Sequence, residues 1–169
     1  MPVGRPMVTI DEQLVRSSLD TIFGLARNVE AWPRHLPHYR YVRFSDRRSD
    51  GGGIVEMSAN RPFPVPLTQL HLNWPTRWRS EMSVNDATRS IRFRHIGGVT
   101  KGMDVEWSFS PTPDGIHVRI LHLWNGPAVP VVGMWTAMHV IGPVFIHGIA
   151  SRTLSGLATV AESQAHQQQ

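Results

Sequence analysis

The chain has 169 residues, 41% of them hydrophobic and 18% charged, which is the size of one domain and too apolar for a disordered polypeptide. It contains no cysteine, so disulfides and thiolate metal sites are excluded. The 17 basic and 13 acidic side chains leave a formal charge of +4, but the arginines are scattered, Lys101 is the one lysine, and no basic run marks a nucleic-acid surface.

Residues 1–13 lack the apolar core of a signal peptide, and the default expectation is a cytoplasmic protein. A loose alternation over 7–16 suits a first strand. Ser17-Ser18 before Leu19-Asp20-Thr21-Ile22-Phe23 reads as an N-cap opening a short helix to about residue 27. VEAWPRHLPHYRYVRF over 29–44 carries two prolines four residues apart, which cannot both occupy a helix interior. It is therefore a second short helix over about 29–36, stopped at Pro37 and followed by a strand from Tyr39. Gly51-Gly52-Gly53 is a turn signal before a strand over 54–59, and PFPVP at 62–66 reads as a loop or an edge irregularity. Strands are expected over 67–84 with an interruption at Pro75, then over 90–96, 102–110 and 116–124. The turn-rich NDAT, GGVTK and PTPDG between them make an antiparallel meander. Pro143 opens a helix to about residue 162, with Ile146, Ile149, Ala150, Leu154, Leu157 and Ala161 at helical spacing. SQAHQQQ at 163–169 reads as a disordered polar tail, so a single domain spans 1–162.

Separating the strands by their period of two gives each a distinct pair of faces. One face carries Arg77, Arg79 and Glu81, then Arg92 and Arg94, Asp104 and Glu106, and Arg119, a cross-strand ladder that absorbs much of the arginine excess. The other carries Trp78 and Met82, Ile91, Phe93 and His95, Met103, Val105, Trp107 and Phe109, and Val118, Ile120, His122 and Trp124. Either histidine alone reads equally well as a core residue bonded to backbone. Two on one apolar, aromatic face suggest a ligand cavity with few polar groups.

A strand, two short helices, an antiparallel meander and a long C-terminal helix make an α+β helix-grip plan, a curved sheet of about seven strands around that helix. With VEAWPRHLPHYRYV at 29–42, GMDVEW at 102–107 and FIHGIASRTLSGL at 145–157, the chain resembles the START/Bet v 1-like (SRPBCC) superfamily, and within it the bacterial polyketide cyclase/dehydrase and lipid-transport group, over roughly residues 7–162. The resemblance implies that the two short helices form a V supporting the sheet edge, that Tyr39 matches a cavity tyrosine, and that Trp78 and Trp107 match cavity tryptophans. It also marks a departure. The related enzymes carry an arginine on the strand here containing Trp78 to Met82, where this chain has Met82, and a thioether cannot polarise a carbonyl or hold an enolate as a guanidinium can.

His35 and His38 stand three apart, but without a zinc-binding helix motif no metal is expected, and GGVTKG at 97–102 lacks the context of a phosphate loop, so no cofactor is expected either. No Asp, Glu, Lys or Arg occurs from 121 to 151, yet Gly126, Pro127, Pro130, Gly133, Gly142 and Pro143 interrupt that span too often for a membrane helix. It reads as a lid over the cavity, with transient contact to a membrane surface during ligand transfer as the further expectation. The first functional reading is a cyclase/dehydratase-like enzyme on an aromatic, polyketide-type molecule, with Tyr39, His122 and His95 exchanging protons and Trp78, Met82, Phe93, Trp107, Ile120, Trp124, Ile146 and Ile149 holding the ligand. The second is a carrier without chemistry for a lipid, quinone or isoprenoid.

Overall fold

The computed structural model describes residues 7–64, 71–98, 100–125 and 146–167. Among these, seven strands form one antiparallel sheet: β1 (Met7–Val15), β2 (Tyr39–Arg47), β3 (Gly53–Pro64), β4 (His71–Asn85), β5 (Ser90–Gly98), β6 (Asp104–Thr112) and β7 (Gly115–Trp124), in the order β1-β7-β6-β5-β4-β3-β2. The helices are α1 (Leu19–Arg27), α2 (Trp32–His35) and α3 (His147–Gln167). This is the helix-grip α+β fold. Its first strand pairs with its last, so β1 and β2 are the two edges and the core lies between the sheet and α3.

Local chemistry explains the break between α1 and β2. Ser18 caps α1 by accepting from the Thr21 amide at 3.1 Å. A 3-10 turn, Val29–Ala31, then leads into α2, where Pro33 lies in the first turn and sacrifices no helical hydrogen bond. The extended Leu36 ends the helix before Pro37. Val29, Trp32 and Leu36 are buried, which anchors this arm, and α3 crosses Leu36 so closely at Gly156 that a side chain there would collide with it.

The sheet is not interrupted at Pro62, Pro64 or Pro75, and residues 65–66 of the PFPVP stretch lie outside the described residues. β3 continues through Pro62 to Pro64, and β4 runs unbroken through Pro75. The Asn60 amide donates to the His38 carbonyl, away from β4, and by the two-residue repeat the missing amides of Pro62 and Pro64 face the same side, beyond the start of β2. Pro75, opposite Asn60, points its amide position away from β3, and β5 joins β4 only from Trp78 onward. All three prolines stand where no ladder bond is lost. At the other end of the chain, α3 continues past residue 162 to Gln167, so residues 163–167 belong to the helix and not to a separate disordered tail. The expected segment 67–70, the helix start at Pro143 and most of the uncharged span, residues 126–145, lie outside the described residues.

The outer face carries the anticipated ladder. Arg92 meets Glu106 at 3.0 Å, Arg94 meets Asp104 at 3.1 Å, and Arg119 reaches Glu12 at 3.4 Å. Glu81 pairs with Arg48 at 2.9 Å, a partner from outside the meander. No described helix is long and apolar enough to cross a membrane.

Candidate functional site

Between the concave sheet face and α3 lies a cavity of about 80 Å³. Its floor comes from alternate residues of the central strands: Met57 on β3, Trp78 on β4, Phe93 and His95 on β5, Val105 and Trp107 on β6, and Ile120 and His122 on β7. Trp32 and Tyr39 close one side, Thr100 and Met103 of the β5–β6 turn another, and Ile146, Ile149, Ala150 and Thr153 form the roof. Among the described lining residues none is Asp, Glu, Lys or Arg, so every polar side-chain group offered to a ligand is a neutral one: a hydroxyl, an imidazole or an indole N–H.

The aromatic walls are held by contact with one another. Trp32 packs edge-on to Tyr39 with centroids 5.3 Å apart and lies 5.8 Å from Trp107, while Trp78 stacks on His95 at 6.2 Å with an 18° interplanar angle. The Trp32 indole donates to the Leu25 carbonyl at 3.1 Å, which fixes its ring and satisfies its one donor.

Three polar groupings stand out. On one side, the Tyr39 and Thr153 hydroxyls are 3.2 Å apart, Thr153 lies 2.8 Å from the Ile149 carbonyl, and His38 Nε2 lies 3.2 Å from the same Thr153 oxygen. Burial pushes the Tyr39 phenol well above its ordinary value despite the opposing Thr153 hydrogen bond, so it is a neutral proton donor throughout the physiological range. Burial, reinforced by the positive charge of Arg152, lowers His38 to about 4.

On the second side His95, 8% exposed, holds its Nδ1 at 2.6 Å from the Thr100 hydroxyl, and burial followed by the neighbouring His122 lowers it to about 3. His122, 5% exposed, is lowered to about 4 by burial and then by His147. Both imidazoles are thus neutral at pH 7, each keeping a ring-nitrogen lone pair that can accept a hydrogen bond, and burial makes both weak bases. The Nδ1 of His122 has no hydrogen-bond partner among the described residues, although a buried imidazole ordinarily satisfies both nitrogens.

The third grouping lies behind His122, on the edge strand. Thr9 is directly opposite His122 in the β1–β7 register, and Asp11 is two residues along. Asp11 Oδ1 accepts from His147 Nδ1 at 2.6 Å, tying the start of α3 to β1, while Asp11 Oδ2 and Thr9 Oγ1 are buried without partners among the described residues. Burial raises the Asp11 carboxyl, against the pull of His147.

Of the residues singled out from sequence, Tyr39, His95, His122, Trp78, Phe93, Trp107, Ile120, Ile146 and Ile149 line this one cavity. Met82 and Trp124 do not. Met82 is wholly buried in the surrounding packing, and the Trp124 indole is turned toward the β5–β6 turn, where it donates to the Lys101 carbonyl at 3.1 Å. Thr153 and Trp32 were missed. Thr153 follows Ile146, Ile149 and Ala150 at helical spacing, so a single hydroxyl ending an otherwise apolar stripe was the available signal. Trp32 sat inside the quoted proline motif, but only the turn geometry brings it over the sheet.

Residues 15–140 match the family model described as polyketide cyclase / dehydrase and lipid transport. A protein of Streptomyces halstedii provisionally named a polyketide cyclase is 23% identical over 112 residues, covering 66% of this chain and 94% of that protein. Among solved structures, the Zhui aromatase/cyclase of Streptomyces sp. R1128 superposes with a TM-score of 0.77 at 14% identity, over 95% of this chain and 96% of that one. A START superfamily protein of Mycobacterium smegmatis gives a TM-score of 0.59 at 18% identity, over 98% and 100% of the two chains. At these identities the structural likeness concerns the fold.

Proposed function

The chain belongs to the polyketide cyclase / dehydrase and lipid transport family, and we propose that it binds an uncharged aromatic or polyketide-like molecule in the cavity under α3 and catalyses a cyclase/dehydratase-type proton transfer on it. The observation that carries this reading is His122, a buried neutral imidazole in an aromatic cavity whose Nδ1 lacks a protein partner. In this reading that nitrogen takes a proton from a carbon between two carbonyls, the step that precedes ring closure or loss of water. Tyr39, held neutral by burial, donates toward the oxygen on which charge develops. His95, fixed by Thr100, supplies a second acceptor on the same floor. The aromatic rings orient a flat substrate and exclude water.

One observation favours the second reading, a carrier for a lipid, quinone or isoprenoid. Among the described lining residues there is no cationic side chain to stabilise an enolate, and Met82, at the sequence position suggested for the relatives' arginine, lies outside the lining.

A synthetic poly-β-keto thioester separates the two. Cyclisation would be followed by the rise of aromatic absorbance, and binding by quenching of Trp32, Trp78 and Trp107 fluorescence. For an enzyme, His122→Gln lowers turnover about 10²–10⁴-fold while affinity stays within a few-fold. If the parent protein binds the thioester with no turnover above the protein-free rate, the enzyme reading fails and the carrier reading stands.

A further inference from the structure

The hydrogen-bonded group at the Tyr39 side of the cavity has a geometry that the proton-donor role of Tyr39 alone does not require. The Thr153 hydroxyl contacts Tyr39 at 3.2 Å, His38 Nε2 at 3.2 Å and the Ile149 carbonyl at 2.8 Å. A hydroxyl has one proton and two lone pairs, so it cannot donate to all of them at once. When it donates to Ile149 it accepts from His38, and the Tyr39 oxygen is left without a proton from Thr153. When it turns toward Tyr39 it accepts from His38 Nε2–H and passes a proton inward. When it turns toward His38 it passes a proton outward. Thr153 is 1% exposed and Tyr39 6%, whereas His38 is half-buried, so the chain of contacts leads from the cavity toward solvent. The rings of His38 and Tyr39 also pack at 4.7 Å, which holds both ends in place.

Among the described lining residues no cationic side chain pairs with Tyr39, so once it has given up its proton a phenolate there would be desolvated and unstable. The lost proton has to be replaced as it leaves.

We propose that His38 and Thr153 form a proton relay that reloads Tyr39 from solvent. It rests on the reading of Tyr39 as the donor. In one turn of the relay the substrate oxygen gains the Tyr39 proton, Tyr39 gains the Thr153 proton, Thr153 gains the proton on His38 Nε2, and His38 gains one from water at Nδ1. One proton has then moved from solvent to substrate, and His38 has changed tautomer while remaining neutral overall. The Ile149 carbonyl is the resting partner of Thr153 between turns. His38 and Thr153 are relay residues, since within this chain of contacts Tyr39 is the group that hands the proton to the substrate.

The test needs no substrate. In protein carrying 13Cζ-labelled tyrosine in a mixture of H2O and D2O, slow exchange of the Tyr39 hydroxyl resolves two 13Cζ lines and fast exchange merges them. We expect exchange in the parent to be at least about 10-fold faster than in Thr153→Val, which keeps the shape and deletes the hydroxyl, with Thr153→Ser restoring the parent rate. His38→Gln, which retains a donor toward Thr153 but cannot take a proton on one nitrogen and release it from the other, should be slowed like Thr153→Val. Should Thr153→Val not fold, His38→Gln decides alone. Exchange in these variants equal to or faster than that of the parent overturns the relay. Because the measurement involves no turnover, that outcome leaves the cyclase reading to be judged on His122.

Discussion

The two faces of the β4–β7 sheet share the same strands, residue by residue, and treat their polar groups in opposite ways. On the outer face Arg92, Arg94, Asp104 and Glu106 are charged, wet and paired across strands. On the inner face Ser80, His95 and His122 are neutral and buried, and the Ser80 hydroxyl and one nitrogen of His122 lack partners among the described residues. Outside, water has already solvated each charge, so forming a pair changes little. Inside, each polar group has lost its water, and a missing partner costs on the order of 1–3 kcal/mol unless something else supplies one. The difference teaches where to look for function. The conspicuous arginines explain the basic character of the chain, and the few neutral groups on the dry face are the ones kept despite their cost.

Adjacent residues of β5 offer the sharpest way to break this comparison. Ile91 is wholly buried on the inner face and Arg92 is its exposed neighbour. Ile91→Ala should destabilise the protein by about 2–5 kcal/mol, measured by urea denaturation. A loss below about 1 kcal/mol would mean that the inner face is loosely packed.

Acid should act on the inner face next. Burial holds His95 at about 3 and His122 at about 4, against an ordinary 6.5 in the unfolded chain. Above pH 6.5 neither state is protonated and the full stability is present. As pH falls from there toward 4 and 3, the unfolded chain binds protons that the folded core refuses, so stability declines by on the order of 1 kcal/mol per histidine and pH unit, levelling off below the folded values. Asp11, raised by burial, works in the opposite sense at the acid end. Thermal melts from pH 7.5 to 4 should show a falling midpoint, with a weaker fall in His122→Gln. An unchanged slope in that variant would place His122 in contact with water.

The smallest effect belongs to the ladder. Arg92→Ala and Glu106→Ala, combined in a double-mutant cycle, should couple by less than about 1 kcal/mol, and the coupling should shrink as salt is raised. A salt-insensitive coupling above 2 kcal/mol would remove the contrast between the faces.

By itself the sequence determined the order of elements, the inward and outward residues of the last four strands and the capped start of α1, because these follow from periodicity, caps and turn residues that act over a few positions, while its quoted motifs carried the resemblance to the family. It also set Tyr39, His95 and His122 on elements that could meet. Three things were decided only by the tertiary structure. The prolines of β3 and β4 resemble breaks in the sequence, because a strand proline is harmless only where its missing amide has no partner, and that depends on where β2 and β5 begin. Alternation alone puts Trp124 on the inward face, whereas a backbone carbonyl of the β5–β6 turn captures its indole. The link from Tyr39 through Thr153 to His38 joins residues more than a hundred positions apart, and only the seating of α3 against Leu36 and the sheet brings them within hydrogen-bonding distance. Alternation specifies which face a side chain occupies, but which polar atoms touch is set by how the helix packs across that face.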